Sequence, residues 1–173
     1  KASDVLRPQA DDPGASRPGF RTSLIRTVVV ETPEGMGKQR LMAELRREVQ
    51  LGDGLFVETS AWNPGQNALG PFASVVQQLV SALDDRSGVV RKYSDLIRVA
   101  RGKSDDETGA SRLVEFLLSC ATERPFVLCF SDLAHGGESA RTSFEALCRA
   151  IDHNEAPILF CATTEPHTKL SPV

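Results

Sequence analysis

The 173-residue sequence lacks any apolar run near the roughly 20 residues that a membrane-spanning helix needs. Its first segment, KASDVLRPQADDPGASRPG, has neither the apolar core nor the cleavage pattern of a signal peptide. It also lacks a strong charge of either sign, with a formal net charge of −3 and a pI near 5.7, so no global basic surface is available to nucleic acid. We therefore expect a cytoplasmic protein that has neither a membrane nor a nucleic acid as its partner.

The sequence contains few cysteines, and none of them belongs to a paired motif. The four cysteines, Cys120, Cys129, Cys148 and Cys161, lie in apolar stretches, without a CxxC motif and without histidines at metal-binding spacing. We expect buried, reduced thiols rather than disulfides or metal ligands, and we predict no metal site from them.

The first part of the chain differs in composition from the rest. Residues 1–22 are rich in Pro, Gly, Ser and Asp and have almost no apolar periodicity, so they are predicted to be a flexible lead-in or linker. Residues 23–173 have enough apolar content for one buried core and are predicted to form one domain. The start at Lys1 and the end at KLSPV lead us to expect a piece of a larger protein.

Buried apolar strands alternate with amphipathic helices in residues 23–173. The apolar LIRTVVVE segment is typical of a strand that is covered on both faces. The following helix has Leu41, Leu45 and Val49 at four-residue spacing and ends at Gly52. Strands are predicted at 24–31, 54–62, 126–132 and 157–165, and helices at 38–52, 71–85, 89–103, 110–125 and 138–154. This alternation predicts a three-layer α/β fold, with a mainly parallel sheet and helices on both faces.

A degenerate phosphate-binding loop lies between the first strand and the first helix. In the segment ETPEGMGKQ, Gly37 and Lys38 match the motif GxxxxGK[ST], whereas Thr32 stands in place of its first glycine and Gln39 in place of its final Ser or Thr. Gly35, Gly37 and Lys38 could still wrap and reach phosphates, with help from the helix N-terminus. The hydroxyl that normally holds Mg²⁺ is lost, and the Gln39 amide oxygen is a conceivable substitute.

Two acidic residues of this segment bear on affinity. Glu31 and Glu34 bring negative charge close to where a triphosphate would lie. Like charges about 4 Å apart repel by roughly 4 kcal/mol at an effective dielectric constant near 20. The orientation of these carboxylates therefore decides whether they oppose nucleotide binding.

The third strand ends in a second degenerate motif. A phosphate-loop ATPase needs an acidic pair there, one carboxylate to hold Mg²⁺ through water and one to position the attacking water. The sequence has Ser131-Asp132. If Asp132 is the second acid, Ser131 replaces the metal carboxylate; if it is the first, Leu133 replaces the water-positioning group. One acid is missing in either alignment.

The order and spacing of four segments resemble a known family. They are VVVETPEGMGKQRLMAELRREV, LFVETSAWNPGQNALGPFASVVQQLV, RPFVLCFSDLAHGGES and APILFCATTEP. Together, over about residues 24–165, they are similar to the ATPase module of the STAND class of AAA-related bacterial signalling proteins. The resemblance implies the fold of phosphate-loop NTPases and ATP or ADP, with Mg²⁺, as the cofactor; a module that has no cofactor is the alternative that the degenerate positions leave open. It also implies Lys38 as the phosphate lysine, Asp132 as the surviving Walker B acid, and Thr163 or Thr164 as the sensor.

Several departures from the family's pattern concern catalysis. Thr164 and Glu165 stand where the family has an arginine, and the family's DLHWAD segment reads DLAHGGE, which displaces His135 from the family's histidine. We expect His135 to be a solvent-facing loop residue. The upstream GRE element is absent, and the helical lid that usually follows the module is not part of the sequence.

These losses favour a regulatory or protein-interaction module of a larger signalling protein, with weak or absent nucleotide hydrolysis. Its partners would be other domains of the same polypeptide or a separate protein. The alternative is a working ATP/ADP-dependent switch. A nucleic-acid role would have to depend on two basic helix faces, which we interpret as solvated surface. These faces consist of Arg40, Arg46 and Arg47, and of Arg91, Lys92, Arg98, Arg101 and Lys103.

Overall fold

A computed structural model gives the fold, and it describes residues 27–33, 35–60, 69–83, 87–103, 110–152, 154 and 156–166. The strands are β1 Thr27–Glu31, β2 Leu55–Ser60, β3 Phe126–Ser131 and β4 Ile158–Thr164. The helices are α1 Lys38–Leu51, α2 Phe72–Ala82, α3 Gly88–Lys92, α4 Ser94–Ala100, α5 Ala110–Glu123 and α6 Gly137–Asp152. The lead-in predicted at 1–22, and Glu34 in the loop, lie outside the described residues.

All four predicted strands and the helices α1, α2, α5 and α6 are confirmed. The single helix predicted at 89–103 is wrong, because the chain divides there into α3 and α4 at Tyr93. The Tyr93 backbone leaves the helical region, with φ −112° and ψ 30°. Its buried side chain reaches across to α5, where its hydroxyl donates to the Glu115 carbonyl at 3.1 Å and pairs with the Ser119 hydroxyl at 2.9 Å. The helix therefore breaks at Tyr93, the residue whose side chain is anchored to α5.

The sheet is parallel throughout its four described strands, in the order β1-β4-β3-β2. The chain therefore crosses from β1 to the far edge at β2 and then returns through β3 to β4. Because parallel crossovers are right-handed, the outward and returning connections place their helices on opposite faces of the sheet. The predicted α/β class with a parallel sheet is confirmed.

One face of the sheet carries the main core. Alternate residues of β3 and β4 point to it, and helices α2 to α6 cover it. Four phenylalanines form a continuous series of edge-to-face contacts through this core, with ring centroids 4.9–6.1 Å apart. They are Phe72, Phe130, Phe144 and Phe160.

The opposite face has a much thinner cover, helix α1. Met42 is the only buried residue of α1, and Leu45 and Val49 pack half-buried beside it. The predicted inward position of Leu41 is wrong, since its side chain is 49% exposed. The inward stripe follows the spacing i, i+3, i+7 from Met42, which lies about 100° around the helix from Leu41.

Strand β1 is less covered than its sequence predicts. It forms one edge of the described sheet, and Val28 and Val29, which point to opposite faces, are 39% and 41% exposed. The described residues therefore cover only part of this continuously apolar strand. Among the described residues, no helix is both long and apolar enough to cross a membrane.

A short, closely packed turn joins the end of α1 to β2. The predicted stop at Gly52 is confirmed, but Asp53, not Gly52, takes the left-handed conformation, with φ 60°. Gly54 then donates its N–H to the Val49 carbonyl at 2.8 Å. A Cβ on Gly54 would lie 2.9 Å from Val49 Cγ1 and 3.2 Å from the Val49 carbonyl oxygen. Only glycine fits this close approach of helix and strand.

We expect Gly54→Ala to lower the free energy of unfolding by about 1–3 kcal/mol, because the added methyl group must displace the backbone and a stiff β-branched side chain of α1. Gly88→Ala is the matched control, since a Cβ there meets nothing within 4 Å and alanine favours the helix. Urea unfolding measures both. Equal effects of the two substitutions would contradict the close packing of Gly54 against Val49 in the α1–β2 turn.

Candidate functional site

A cleft of about 840 Å³ opens at the carboxyl ends of the strands. Ligands of parallel α/β sheets bind at this edge. The cleft is lined by Gly35, Gly37, Lys38, Gln39, Arg40, Met42, Ala43, Arg46, Glu58, Ser131, Asp132 and Thr163. The structure therefore brings together the predicted loop residues, the predicted acid and one of the two predicted threonines, although they are far apart in the sequence.

Two glycines of the loop before α1 have left-handed backbone conformations. Gly35 and Gly37 have φ of 78° and 86°, which favours glycine, and a Cβ on either would meet nothing within 4 Å. Gly37 is the N-cap of α1 and supplies no side-chain cap, and the first turn of α1 has no acidic residue. The amide groups and the positive end of the helix dipole at this point are therefore suited to a phosphate.

Lys38, the first residue of α1, faces the end of β3. Its ammonium nitrogen lies 3.5 Å from Asp132 Oδ1, and the two side chains are 16% and 50% exposed. An ion pair this long and this exposed contributes little to stability. It does bring the two predicted residues together in the cleft.

Asp132 has a strained backbone conformation, with φ 54°. Thr163 stabilises it from the neighbouring strand: Thr163 Oγ1 accepts the Asp132 N–H at 3.1 Å, and the Thr163 carbonyl accepts the Leu133 N–H at 2.9 Å. The Asp132 carbonyl in turn accepts the His135 N–H at 3.0 Å. Thr163 thus positions the acid and lines the cleft beside it.

The two alignments of the degenerate acidic motif differ in where residues 131 and 133 point. Ser131 lines the cleft, and its hydroxyl donates to the Thr59 carbonyl at 3.3 Å. Leu133 is 1% exposed and packs in the main core. The geometry therefore favours Asp132 as the second acid and Ser131 as the replacement for the first.

Other residues singled out in the sequence do not line the cleft. Thr164 is 1% exposed, and its hydroxyl has no hydrogen-bond partner among the described residues. Glu31 points to the face of β1 opposite Val30, which packs under α1, so it adds no carboxylate to the cleft. His135 is exposed, as predicted.

The sequence did not predict a second ion pair in the cleft. Arg46 of α1 binds the Glu58 carboxylate of β2, and its guanidinium stacks over the Phe56 ring at 5.0 Å from the centroid. Gln78 holds the Glu58 backbone by accepting its N–H at 3.3 Å and donating to its carbonyl at 2.7 Å. Glu58 directly follows the apolar residues 55–57 of β2. This charged residue in a strand was the only sign of the ion pair that the sequence offered.

The described lining has three cationic side chains, Lys38, Arg40 and Arg46, and two carboxylates, Glu58 and Asp132, for a net formal charge of +1. Such a cleft attracts anions, but it leaves most of the charge of a triphosphate uncompensated. Within the described residues, no group of three or more His, Cys, Asp or Glu could hold a metal ion.

The cysteines are free and buried, as predicted. Burial raises the pKa of Cys120 to about 12 and that of Cys148 to about 12. These two thiols therefore stay protonated and unreactive at neutral pH.

We compared the chain with protein-family models, with curated proteins and with solved structures, and found no match.

The two neighbouring threonines allow a matched test of the strand end. We expect Thr163→Val to lower the free energy of unfolding by about 1–2 kcal/mol, because the Asp132 N–H loses its acceptor. Thr164→Val should be neutral or stabilising, since its buried hydroxyl has no partner among the described residues to lose. Urea unfolding of both variants checks this. Equal destabilisation would contradict the positioning role of Thr163.

Proposed function

We propose that the chain is a degenerate phosphate-loop ATPase-like module that regulates or binds other parts of a larger signalling protein, with weak or absent nucleotide hydrolysis. The observation that carries the proposal is the meeting of Gly37, Lys38, Asp132 and Thr163 in one cleft, which Gln39 and Ser131 also line. In the proposed alignment these two residues stand in place of the magnesium ligands.

The phosphate half of the site supports nucleotide binding. The left-handed glycines, the uncapped N-terminus of α1 and the Lys38 ammonium all face the same cleft. A phosphate there would compete with Asp132 for Lys38, and its higher charge favours that exchange. With a net lining charge of only +1, the binding should be weak and sensitive to salt.

The metal half of the site argues against efficient hydrolysis. Phosphoryl transfer depends on Mg²⁺ held by a hydroxyl and a carboxylate. Here an exposed amide stands at position 39, and Ser131 already donates its hydroxyl to the Thr59 carbonyl. The remaining carboxylates of the cleft, Asp132 and Glu58, are paired with Lys38 and Arg46.

The partly uncovered edge of the sheet supports the interaction part of the proposal. Val28 and Val29 on β1, together with Met36 in the loop and Leu41 on α1, are 39–72% exposed. Exposed apolar side chains on an edge strand and in the adjacent loop and helix are available for packing against another domain. Since the phosphate loop directly follows β1, a partner at this edge would sense a ligand in the cleft.

A functional ATP/ADP switch is the alternative, and the Lys38–Asp132 pair is the observation that favours it. A γ-phosphate that separates these side chains would change the end of β3, whereas a diphosphate would leave them closer together. The two functions differ in a measurable way, because the switch requires hydrolysis.

The first test uses fluorescent ATP and ADP with the purified chain. We expect dissociation constants in roughly the 0.1–1 mM range, binding that weakens as the salt concentration rises, and no Mg²⁺-dependent turnover. Lys38→Ala should remove binding, and Lys103→Ala, an exposed lysine outside the cleft, should not. Turnover that Lys38→Ala abolishes would favour the switch. A folded protein that binds no nucleotide would exclude the switch and the weak nucleotide binding expected of the degenerate module.

The second test restores the missing ligands. We expect the double variant Gln39→Thr, Ser131→Asp to bind ATP about tenfold more tightly with Mg²⁺ than without it, because a hydroxyl and a carboxylate become available to the ion. The native chain should show no such difference. Gln39→Ala with Ser131→Ala is the control, since it removes the native side chains without adding ligands. An Mg²⁺ effect of equal size in the native chain would contradict the loss of the metal site.

A further inference from the structure

Three sulfur atoms meet under helix α1. Cys129 and Cys161 lie directly opposite each other on the parallel strands β3 and β4, and both point to the α1 face. Met42 packs onto them from the helix: its Sδ is 3.5 Å from Cys129 Sγ and 3.9 Å from Cys161 Sγ. All three side chains are at most 8% exposed.

The distances from Met42 Sδ to the two cysteine Sγ atoms are close to those between the sulfur ligands of one metal ion. Three sulfurs that surround a metal in a trigonal plane, each about 2.3 Å from it as in thiolate sites, are about 4.0 Å apart. The two contacts of Met42 are within about half an ångström of this value. Facing strands separated by about 4.8 Å leave the two thiols free to close on a common ion.

We propose that Cys129, Cys161 and Met42 form a binding site for a soft monovalent metal ion, Cu(I), beneath the nucleotide cleft. Two thiolates and a thioether are the soft ligand set that Cu(I) prefers. Zinc sites of the structural type take four ligands, and the described residues supply only these three sulfurs here. The site is separate from the phosphate loop and does not depend on the proposed function.

Binding of Cu(I) exchanges protons for the metal ion. Cu(I) replaces both thiol protons, so two protons leave and a Cu(I)–dithiolate with a charge of −1 forms. Arg46 of α1 favours this charge, and Glu58 of β2 opposes it.

The cleft gives a metal ion a route to the sulfurs. Met42 lines the floor of the cleft while it contacts both cysteines, so its thioether lies between solvent and the thiols. Helix α1 covers this face with one buried residue, so a local opening of the helix exposes the pair at low cost. Cu(I) bound to all three sulfurs would tie α1 to the sheet.

The experiment titrates the reduced, ligand-free chain with Cu(I) under anaerobic conditions, in competition with a chromogenic Cu(I) chelator. We expect one equivalent to bind, with two protons released, and X-ray absorption should show three sulfurs at about 2.3 Å. Met42→Leu keeps the size and burial of the side chain. It should reduce the count to two sulfurs and weaken binding by about tenfold or more.

Matched controls separate this site from nonspecific thiol chemistry. Cys129→Ala or Cys161→Ala should remove the tight equivalent, whereas Cys120→Ala, Cys148→Ala and Lys38→Ala should retain it. Far-UV circular dichroism checks that each variant is folded. The proposal is overturned if the folded native chain binds no Cu(I) against the chelator, or if Met42→Leu leaves both the sulfur count and the affinity unchanged.

Discussion

The position of β4 between β1 and β3 is the constraint on which the rest of the structure depends. Its parallel hydrogen-bonded register sets Thr163 beside the end of β3 and Cys161 opposite Cys129. It also brings the end of β1, and with it the phosphate loop, to the same edge of the sheet as Asp132. A one-residue slip of β4 would turn both side chains to the other face. The cleft and the sulfur cluster would then be lost together.

Helix α1 connects these two features. Its first turn presents the loop amides and Lys38 to the cleft, and its inner face places Met42 on the two thiols. Because this helix buries so little of its surface, its packing is among the weaker contacts of the fold. A ligand at the loop before the helix or at Met42 would therefore change how firmly the helix is held. This gives the proposed regulatory module a movable part that does not require hydrolysis.

Local sequence patterns predicted much of the fold because they reflect local physics. Apolar runs of strand length and helical periodicity predicted most elements, and the glycines before Lys38 indicated the loop between β1 and α1. The patterns failed where a distant partner decided the outcome. Tyr93 breaks a helix by reaching α5, Met42 replaces Leu41 as an inward residue, and β1 stays partly exposed despite its valines.

The site shows the same division. The sequence by itself determined the identity of the candidate phosphate groups Gly35, Gly37 and Lys38, the single acid Asp132 at the end of β3, and the absence of a hydroxyl at residue 39, because these depend only on residue type and local spacing. Only the tertiary structure decided that Thr163 and not Thr164 faces the cleft, and that Arg46 pairs with Glu58. It alone decided that three sulfurs separated along the chain come together. Strand order and register set these contacts, and both arise from packing among distant segments that no local pattern encodes.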